Sequence, residues 1–176
     1  MIEILKLAMT LKKNVCVYTC DSEISKFLYG RIIFIDNEFF ALYMLTPNGE
    51  NDGILVKKIS CITYVEMDGQ YDEKMKKLCP NFDDLISKTP IDFENGNALF
   101  SIMLDALRTE KPISVELLDS GVDSVIGQVT AVNEKICTVR QIDEYGCDDG
   151  IAYVPDITQV SYASADNSIL LLLMTK

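Results

Sequence analysis

Histidine is absent from all 176 residues. That removes the commonest general base and the commonest metal ligand. A zinc site would need four thiolates, or a carboxylate among its ligands. The six cysteines, at 16, 20, 61, 79, 137 and 147, form no CxxC pair. They read as reduced thiols used as small buried hydrophobes, not as a disulfide or metal framework. Cys16 and Cys20 lie in a strand-like stretch at a spacing that would put them on one face. No Gly-rich phosphate loop, GxSxG elbow or Cys/His pair occurs. The acid pairs Asp83-Asp84 and Asp148-Asp149 are adjacent, so in a strand they would point opposite ways and in a loop they would be solvated. These absences predict a protein that is not an enzyme, with no catalytic or metal-ligating residue to name and no cofactor.

Long apolar runs are missing too. None approaches the roughly 18 residues that cross a membrane. The opening MIEILKLAMTLKK carries Glu3 and lacks the basic leader and small-residue cleavage site of a signal peptide. A cytoplasmic location is the expectation. Cations are scarce: 16 Lys and Arg stand against 27 Asp and Glu, for a net charge of −11. Residues 1–95 carry −4 of this and residues 96–176 carry −7, so neither half is a basic module. Nucleic-acid affinity depends on neutralising phosphates with Lys and Arg, so the balance opposes it, and it opposes anionic membranes equally.

What the chain does have is a repeat. ILKLAMTLKKNVCVYTCD (Ile4–Asp21) matches IMLDALRTEKPISVELLD (Ile102–Asp119) at an offset of 98 residues. Gly30 matches Gly127, and Ile35–Gly53 matches Val132–Gly150, at an offset of 97. Ile59, Ile62 and Tyr64 align with Ile157, Val160 and Tyr162. Two copies of about 80 residues are too few and too long for a solenoid. A unit of that size buries only a little over 60% of its unfolded surface, so the copies are expected to pack together. The organisation reads as repeat 1 over 1–78, a linker over 79–95 and repeat 2 over 96–176.

Within each copy the period changes from helical to alternating. Ile4, Leu5, Ala8 and Leu11 recur at helical spacing, as do Ile102, Met103 and Ala106, with Asn97 placed to cap the second helix. Val15, Val17 and Thr19 then face one way, as do Ile113, Val115 and Leu117. Further strands are expected near 31–36, 39–46, 54–58 and 59–66, with equivalents at 128–133, 136–142, 151–154 and 157–163. Asp36-Asn37 and Asn133-Glu134 read as short turns. PNGENDG and EYGCDDG read as hairpin tips, with glycines supplying positive φ. As a calcium loop, DEYGCDDG would set Tyr145 and Cys147 where oxygens belong. In the linker CPNFDDLISKTPIDFENGN, Pro80 and Pro90 break periodicity and FDDLIS suits one helical turn. The apolar tail Ile169 to Met174 reads as an element closing the core, or else as an oligomer contact.

A helix followed by five short antiparallel strands resembles the Sm-like fold. The resemblance spans both copies and implies a mainly β protein with α: two tandem Sm-like domains, each an N-terminal helix plus a five-stranded, strongly bent antiparallel sheet or open barrel. Family members that bind RNA carry G-x-hydrophobic-x-x-hydrophobic-D-x-x-x-N. Gly30, Ile32, Ile35 and Asp36 fit, but Phe40 replaces the Asn. In the second copy Gly127, Val129 and Val132 fit, while Asn133 and Cys137 do not. The second family motif, I-R-G-x-x-I-x-x-I, meets Leu55 and Val56 at its Arg-Gly, and Tyr153 and Val154 in copy two. RNA readout needs a cation and polar groups to hold a splayed base. Asp36 is therefore read as a turn residue.

The resulting expectation is a non-catalytic, cytoplasmic, acidic protein-interaction module, its binding residues unknown. It would engage an unidentified protein partner, with a basic surface the best electrostatic match. The alternatives are a divergent Sm-like RNA-binding protein and an enzyme of unrecognised class. The copies are expected to associate through an edge strand or sheet face, the tether keeping them at high effective concentration, and a homo-oligomer stays open. Lys57 and Lys58 would guard one sheet edge against outward pairing, and Pro155 the other.

Overall fold

The computed structural model describes residues 1–19, 27–89, 91–93, 96–133 and 136–174. Cys20, Asp21, Pro90 and Glu134, which figure in the expectations above, lie outside the described residues. The chain is mixed α/β. Its elements run α1 (Ile2–Thr10), β1 (Asn14–Thr19), β2 (Leu28–Ile35), β3 (Phe39–Leu45), β4 (Asn51–Lys58), β5 (Ile62–Met67), α2 (Gln70–Leu78) and α3 (Phe82–Ser87). They continue with α4 (Ala98–Thr109), β6 (Pro112–Leu117), β7 (Val125–Val132), β8 (Cys137–Ile142), β9 (Asp148–Val154), β10 (Ile157–Tyr162) and α5 (Ala165–Met174). All ten strands join one open antiparallel sheet, in the order β5-β1-β2-β3-β4-β10-β6-β7-β8-β9. The order of the first five strands repeats in the second five, and the two sets meet where β4 pairs with β10.

The repeated glycines have a steric cause. A Cβ on Gly30 would lie 2.0 Å from the Tyr43 carbonyl oxygen, and one on Gly127 would lie 2.0 Å from that of Arg140. The strands approach too closely there for any side chain. Register shifts follow at matching places, between Ile32 and Phe34 and between Val129 and Ala131. Such bulges bend a strand.

The last strand corrects the alignment. Ile62 stands opposite Thr19 in β1, and Ile157 stands opposite Leu117 in β6. Ile62 therefore corresponds to Ile157, not to Val160, and β5 corresponds to β10 at an offset of 95. The reason is local. A 3-10 turn at Ile59–Cys61 joins β4 to β5, whereas only Pro155 and Asp156 separate β9 from β10. The hairpin strands are also longer than expected, since Asn51–Gly53 and Asp148–Gly150 already lie in β4 and β9.

Burial explains the apolar run FFALYML. In β3, Phe40 and Leu42 join a cluster with Leu5, Ala8, Val15 and Val17, beneath α1. Phe39, Ala41, Tyr43 and Leu45 face the other way, into a larger cluster that includes Ile102, Met103 and Ala106 of α4 and Ile113, Val115 and Val139 of the second set of strands. Both faces are covered, so the strand need not alternate. Packed mainly on β7, α4 also reaches β3, β4 and β10 and so touches both halves of the sheet. Asn97 caps it as expected, its side chain accepting from the Phe100 N–H at 2.8 Å. FDDLIS forms α3. The apolar tail forms α5, but it does not close the core. Only Asn167 is buried there, and Leu172 is 73% exposed.

Polar residues tie each last helix to its strands. Asp72 of α2 is buried and accepts from Tyr29 Oη at 2.7 Å and Asn14 Nδ2 at 3.0 Å, with Lys76 Nζ 2.8 Å away. Asn167 holds the corresponding place in α5, accepting from Ser114 Oγ at 2.9 Å and donating to the Ser161 carbonyl. Burial pushes the Asp72 carboxyl up, but hydrogen bonds from Lys76, Tyr29 and Asn14 outweigh it and hold the group below its ordinary value. A lowered carboxyl stabilises the fold above its unfolded pKa of about 4 and loses that contribution as pH falls through the folded value. Asp72→Asn should therefore cost about 1–3 kcal/mol at neutral pH, and its stability should fall less than wild type on acidification through that range. Urea unfolding followed by circular dichroism across a pH series measures both effects.

Candidate functional site

The junction between β4 and β10 is the most highly charged part of the interior. Ile54, Leu55, Val56 and Lys57 stand opposite Tyr162, Ser161, Val160 and Gln159. Lys57 was expected to guard a free edge; instead it is 1% exposed inside the sheet. Its Nζ lies 2.8 Å from Asp119 Oδ1, in ion-pair contact, and 3.5 Å from Glu116 Oε2. The other oxygen of Glu116 accepts from the Gly121 N–H at 3.1 Å. The turn after β6 delivers Asp119 through two left-handed residues, Leu118 and Asp119 at φ 60° and 51°. Thr158 fastens that turn to β10, its Oγ1 accepting from the Asp119 N–H and donating to the Glu116 carbonyl. Lys58 turns away and pairs with Glu38 at 3.2 Å. Pro155 falls just past β9 and removes no donor from that strand.

Positions matching the RNA-binding motifs are used otherwise. Asp36 Oδ1 accepts from the Glu38 and Phe39 N–H groups at 2.7 Å, the turn role expected of it. Its Oδ2 also accepts from the Ala98 N–H at 2.7 Å, binding the first half to the start of α4. That second contact had no sequence signal. Phe40, Leu55, Val56, Cys137 and Val154 are buried, while Tyr153 is exposed. Asn133 repeats the turn role by accepting from the Ile136 N–H at 2.9 Å.

The acidic tips are turns. Asp143 Oδ1 accepts from the Tyr145 and Cys147 N–H groups at 3.0 and 2.7 Å, and Thr46 Oγ1 plays a similar part toward Glu50. Asn51 and Asp148 accept from Gly53 and Gly150. Among the described residues no group of His, Cys, Asp or Glu is placed to hold a metal. The described cysteines are free thiols, and all but Cys147 are buried. Burial, with Glu66 and Asp72 nearby, pushes the Cys16 thiol up to about 12. Burial likewise raises Cys61, which faces Asp119, and Cys137, each to about 11.

Two open surfaces bear on binding. One is a groove of about 760 Å³ where α4 begins, with Phe39, Leu99, Phe100 and Met103 in its lining and the Glu38–Lys58 ion pair on its wall. The other is the pair of outer strands. In β9 the residues from Asp148 to Ile151 are exposed, with Ile151 at 63% and Tyr153 at 71%. In β5, Thr63, Tyr64 and Glu66 are exposed, and Tyr64 stacks on Tyr18 with ring centroids 3.9 Å apart. The sequence does not distinguish these edges from the buried β4, because pairing partners decide which strand is outermost.

Compared with family models, curated proteins and solved structures, the chain matches none.

Two measurements test this description. Lys57→Met should cost about 3–5 kcal/mol, since it strands buried carboxylates, and adding Glu116→Gln and Asp119→Asn should restore most of the loss. Urea unfolding of the single and triple variants compares them. Maleimide at neutral pH should label Cys147 of the folded chain rapidly and reach Cys16, Cys61 and Cys137 only on unfolding, as read by peptide mass mapping.

Proposed function

We propose that the chain is a non-catalytic protein-interaction module built from two Sm-like halves, working in the cytoplasm and binding a protein partner along a sheet edge. The observation that carries this reading is the outer strand β9. It exposes Ile151 and Tyr153 beside Asp148 and Asp149. Edge strands are normally guarded by lysine, proline or a cover, because their backbone groups invite pairing. In β9 the charged residues Asp148 and Asp149 and a register shift guard only its start, and no charged residue or proline stands from Gly150 to Tyr153. An added strand would gain main-chain hydrogen bonds, with side-chain contacts supplying selectivity. The acids beside the apolar residues, on a chain of net charge −11, favour a basic partner surface. In favour of Sm-like halves stand the leading helix of each and their common strand order. The cytoplasmic placement draws on the free thiols.

The test is affinity capture from native lysate across a salt series, with protein and RNA both identified. Wild type should retain a basic protein at low salt, and Ile151→Lys with Tyr153→Lys should lose it. A U-rich RNA oligomer should show no sub-micromolar binding by fluorescence anisotropy at physiological salt. Equal capture by the variant, or salt-sensitive retention of RNA by wild type, would overturn the proposal.

A further inference from the structure

We infer that the occupant of β9 is β5 of a second copy of this chain, joined head to tail. The pairing would set Ile151 opposite Met67, Ala152 opposite Glu66, Tyr153 opposite Val65 and Val154 opposite Tyr64. The inference rests on reading β9 as a protein-binding edge, and it puts a second copy of this acidic chain, in place of a basic protein, on that edge. It follows from the internal junction. Residues 51–57 of β4 correspond to 148–154 of β9, and residues 62–67 of β5 to 157–162 of β10. The observed pairs, Ile54 with Tyr162 through Lys57 with Gln159, project onto the pairs above.

Features that serve the internal junction recur on the outer strands with nothing yet to serve. Gly53, at φ +72°, lies so close to β10 that a Cβ would sit 2.3 Å from the Tyr162 carbonyl oxygen and 2.5 Å from Ala163. Its counterpart Gly150, at φ +102°, has nothing within 4 Å of that position. Ala163 leaves β10 in the left-handed region at φ 53°, and its counterpart Asp68 leaves β5 at φ 58°. So β5 already ends in the shape that the junction accepts.

Helix caps show the same gap. Across the junction, Asp52 Oδ1 accepts from the Ala165 N–H at 3.1 Å, at the first turn of α5. Asp149, the counterpart of Asp52, is exposed, and among the described residues it accepts from no helix N–H. No side chain caps α2, which begins at Gln70, the counterpart of Ala165. A second copy would bring these two together.

Side-chain chemistry agrees. Ile54, Leu55 and Val56 are buried by β10, whereas Ile151 and Tyr153 on β9 and Tyr64 on β5 are exposed. Where the internal junction buries Lys57 against Glu116, the corresponding places hold Val154 on β9 and Tyr18 on β1, the neighbour of β5. The new contact would therefore bury apolar surface and no ion pair. Around it the charges are mixed and do not decide the pairing: the β9 hairpin carries Asp143, Glu144, Asp148 and Asp149, while α2 carries Lys74, Lys76 and Lys77 together with Asp72 and Glu73, both already paired with Lys76. Because β9 and β5 are different surfaces, each added copy leaves one of each free. Successive copies close into a ring or continue as a filament, depending on the rotation at the junction.

Light scattering after size exclusion tests this on the full chain at tens of micromolar. Wild type should exceed its 19.7 kDa monomer mass. Ile151→Lys with Tyr153→Lys blocks β9, and Tyr64→Lys blocks β5. Each should be a folded monomer by circular dichroism, and the two mixed should give a 1:1 dimer and nothing larger, since one free edge of each kind remains. For register, Val65→Cys with Tyr153→Cys in a Cys147→Ser background should form intermolecular disulfides on oxidation, as a ladder on non-reducing gels, and neither single cysteine should form a ladder. A monomeric wild type overturns the inference. If that monomer still loses a basic partner when β9 is blocked, the protein-binding reading survives it. If it has no such partner, both fail. An oligomer that persists in the blocked variants, or a mixture that stays monomeric, overturns it too.

Discussion

A lysine with almost no access to water sits where the two halves of this sheet meet. Lys57 is tolerable there only because Asp119 and Glu116 come to it from the other half. Removing a charge from water is costly, and only a well-placed opposite charge offsets it. The requirement runs in both directions: without the lysine, two acids would be left at a buried seam. The pairing of β4 with β10 in their observed register is therefore tied to the turn after β6, and that turn is tied to β10 by Thr158. The whole ten-stranded sheet depends on this seam being made.

A second fastening runs beside it. Asp36 closes the β2–β3 turn and also receives the first N–H of α4. Through α4 the larger apolar cluster draws side chains from both halves. Small units bury a modest fraction of their surface, so this shared cluster is where the chain gains what neither half could bury alone.

The two halves share a framework but not a surface. Glycines at 30 and 127 meet the same backbone approach, and bulges fall at the same places. Between those fixed points the sequences differ in ways that follow position in the sheet. β4 lies between two strands and is buried from Gly53 to Lys57, while β9 is outermost and exposed from Asp148 to Ile151 and at Tyr153. Tyr153 and Val56 occupy corresponding places, yet one faces water and the other is enclosed. The groove at the start of α4 has no such counterpart logic; it is bounded by an ion pair and apolar side chains and holds no evident chemistry.

Much of the framework was legible in the sequence because its causes are local. The change from helical to alternating period marked α1 and α4 with their strands. Asn97 announced a cap, and the Gly, Asn and Asp clusters announced hairpins, since backbone dihedrals and nearest-neighbour hydrogen bonds decide these. The matching glycines that admit a close backbone, Gly30 and Gly127, were visible too. What the sequence could not decide was which strands lie side by side. Lys57 looks like an edge guard until Glu116, 59 residues away, is placed against it. The last repeat strand was misaligned because a 3-10 turn in one half has no counterpart in the other, and apolar residues alone do not reveal that slip. The LLLL run looked like core, yet Leu170, Leu171 and Leu173 are half-buried and Leu172 is exposed, because β6 and β4 cover only part of the helix. Burial and pairing are properties of the assembled chain. Tertiary structure alone therefore decided that Lys57 is inside, that β9 and β5 are outside, and that Asp36 holds two halves together.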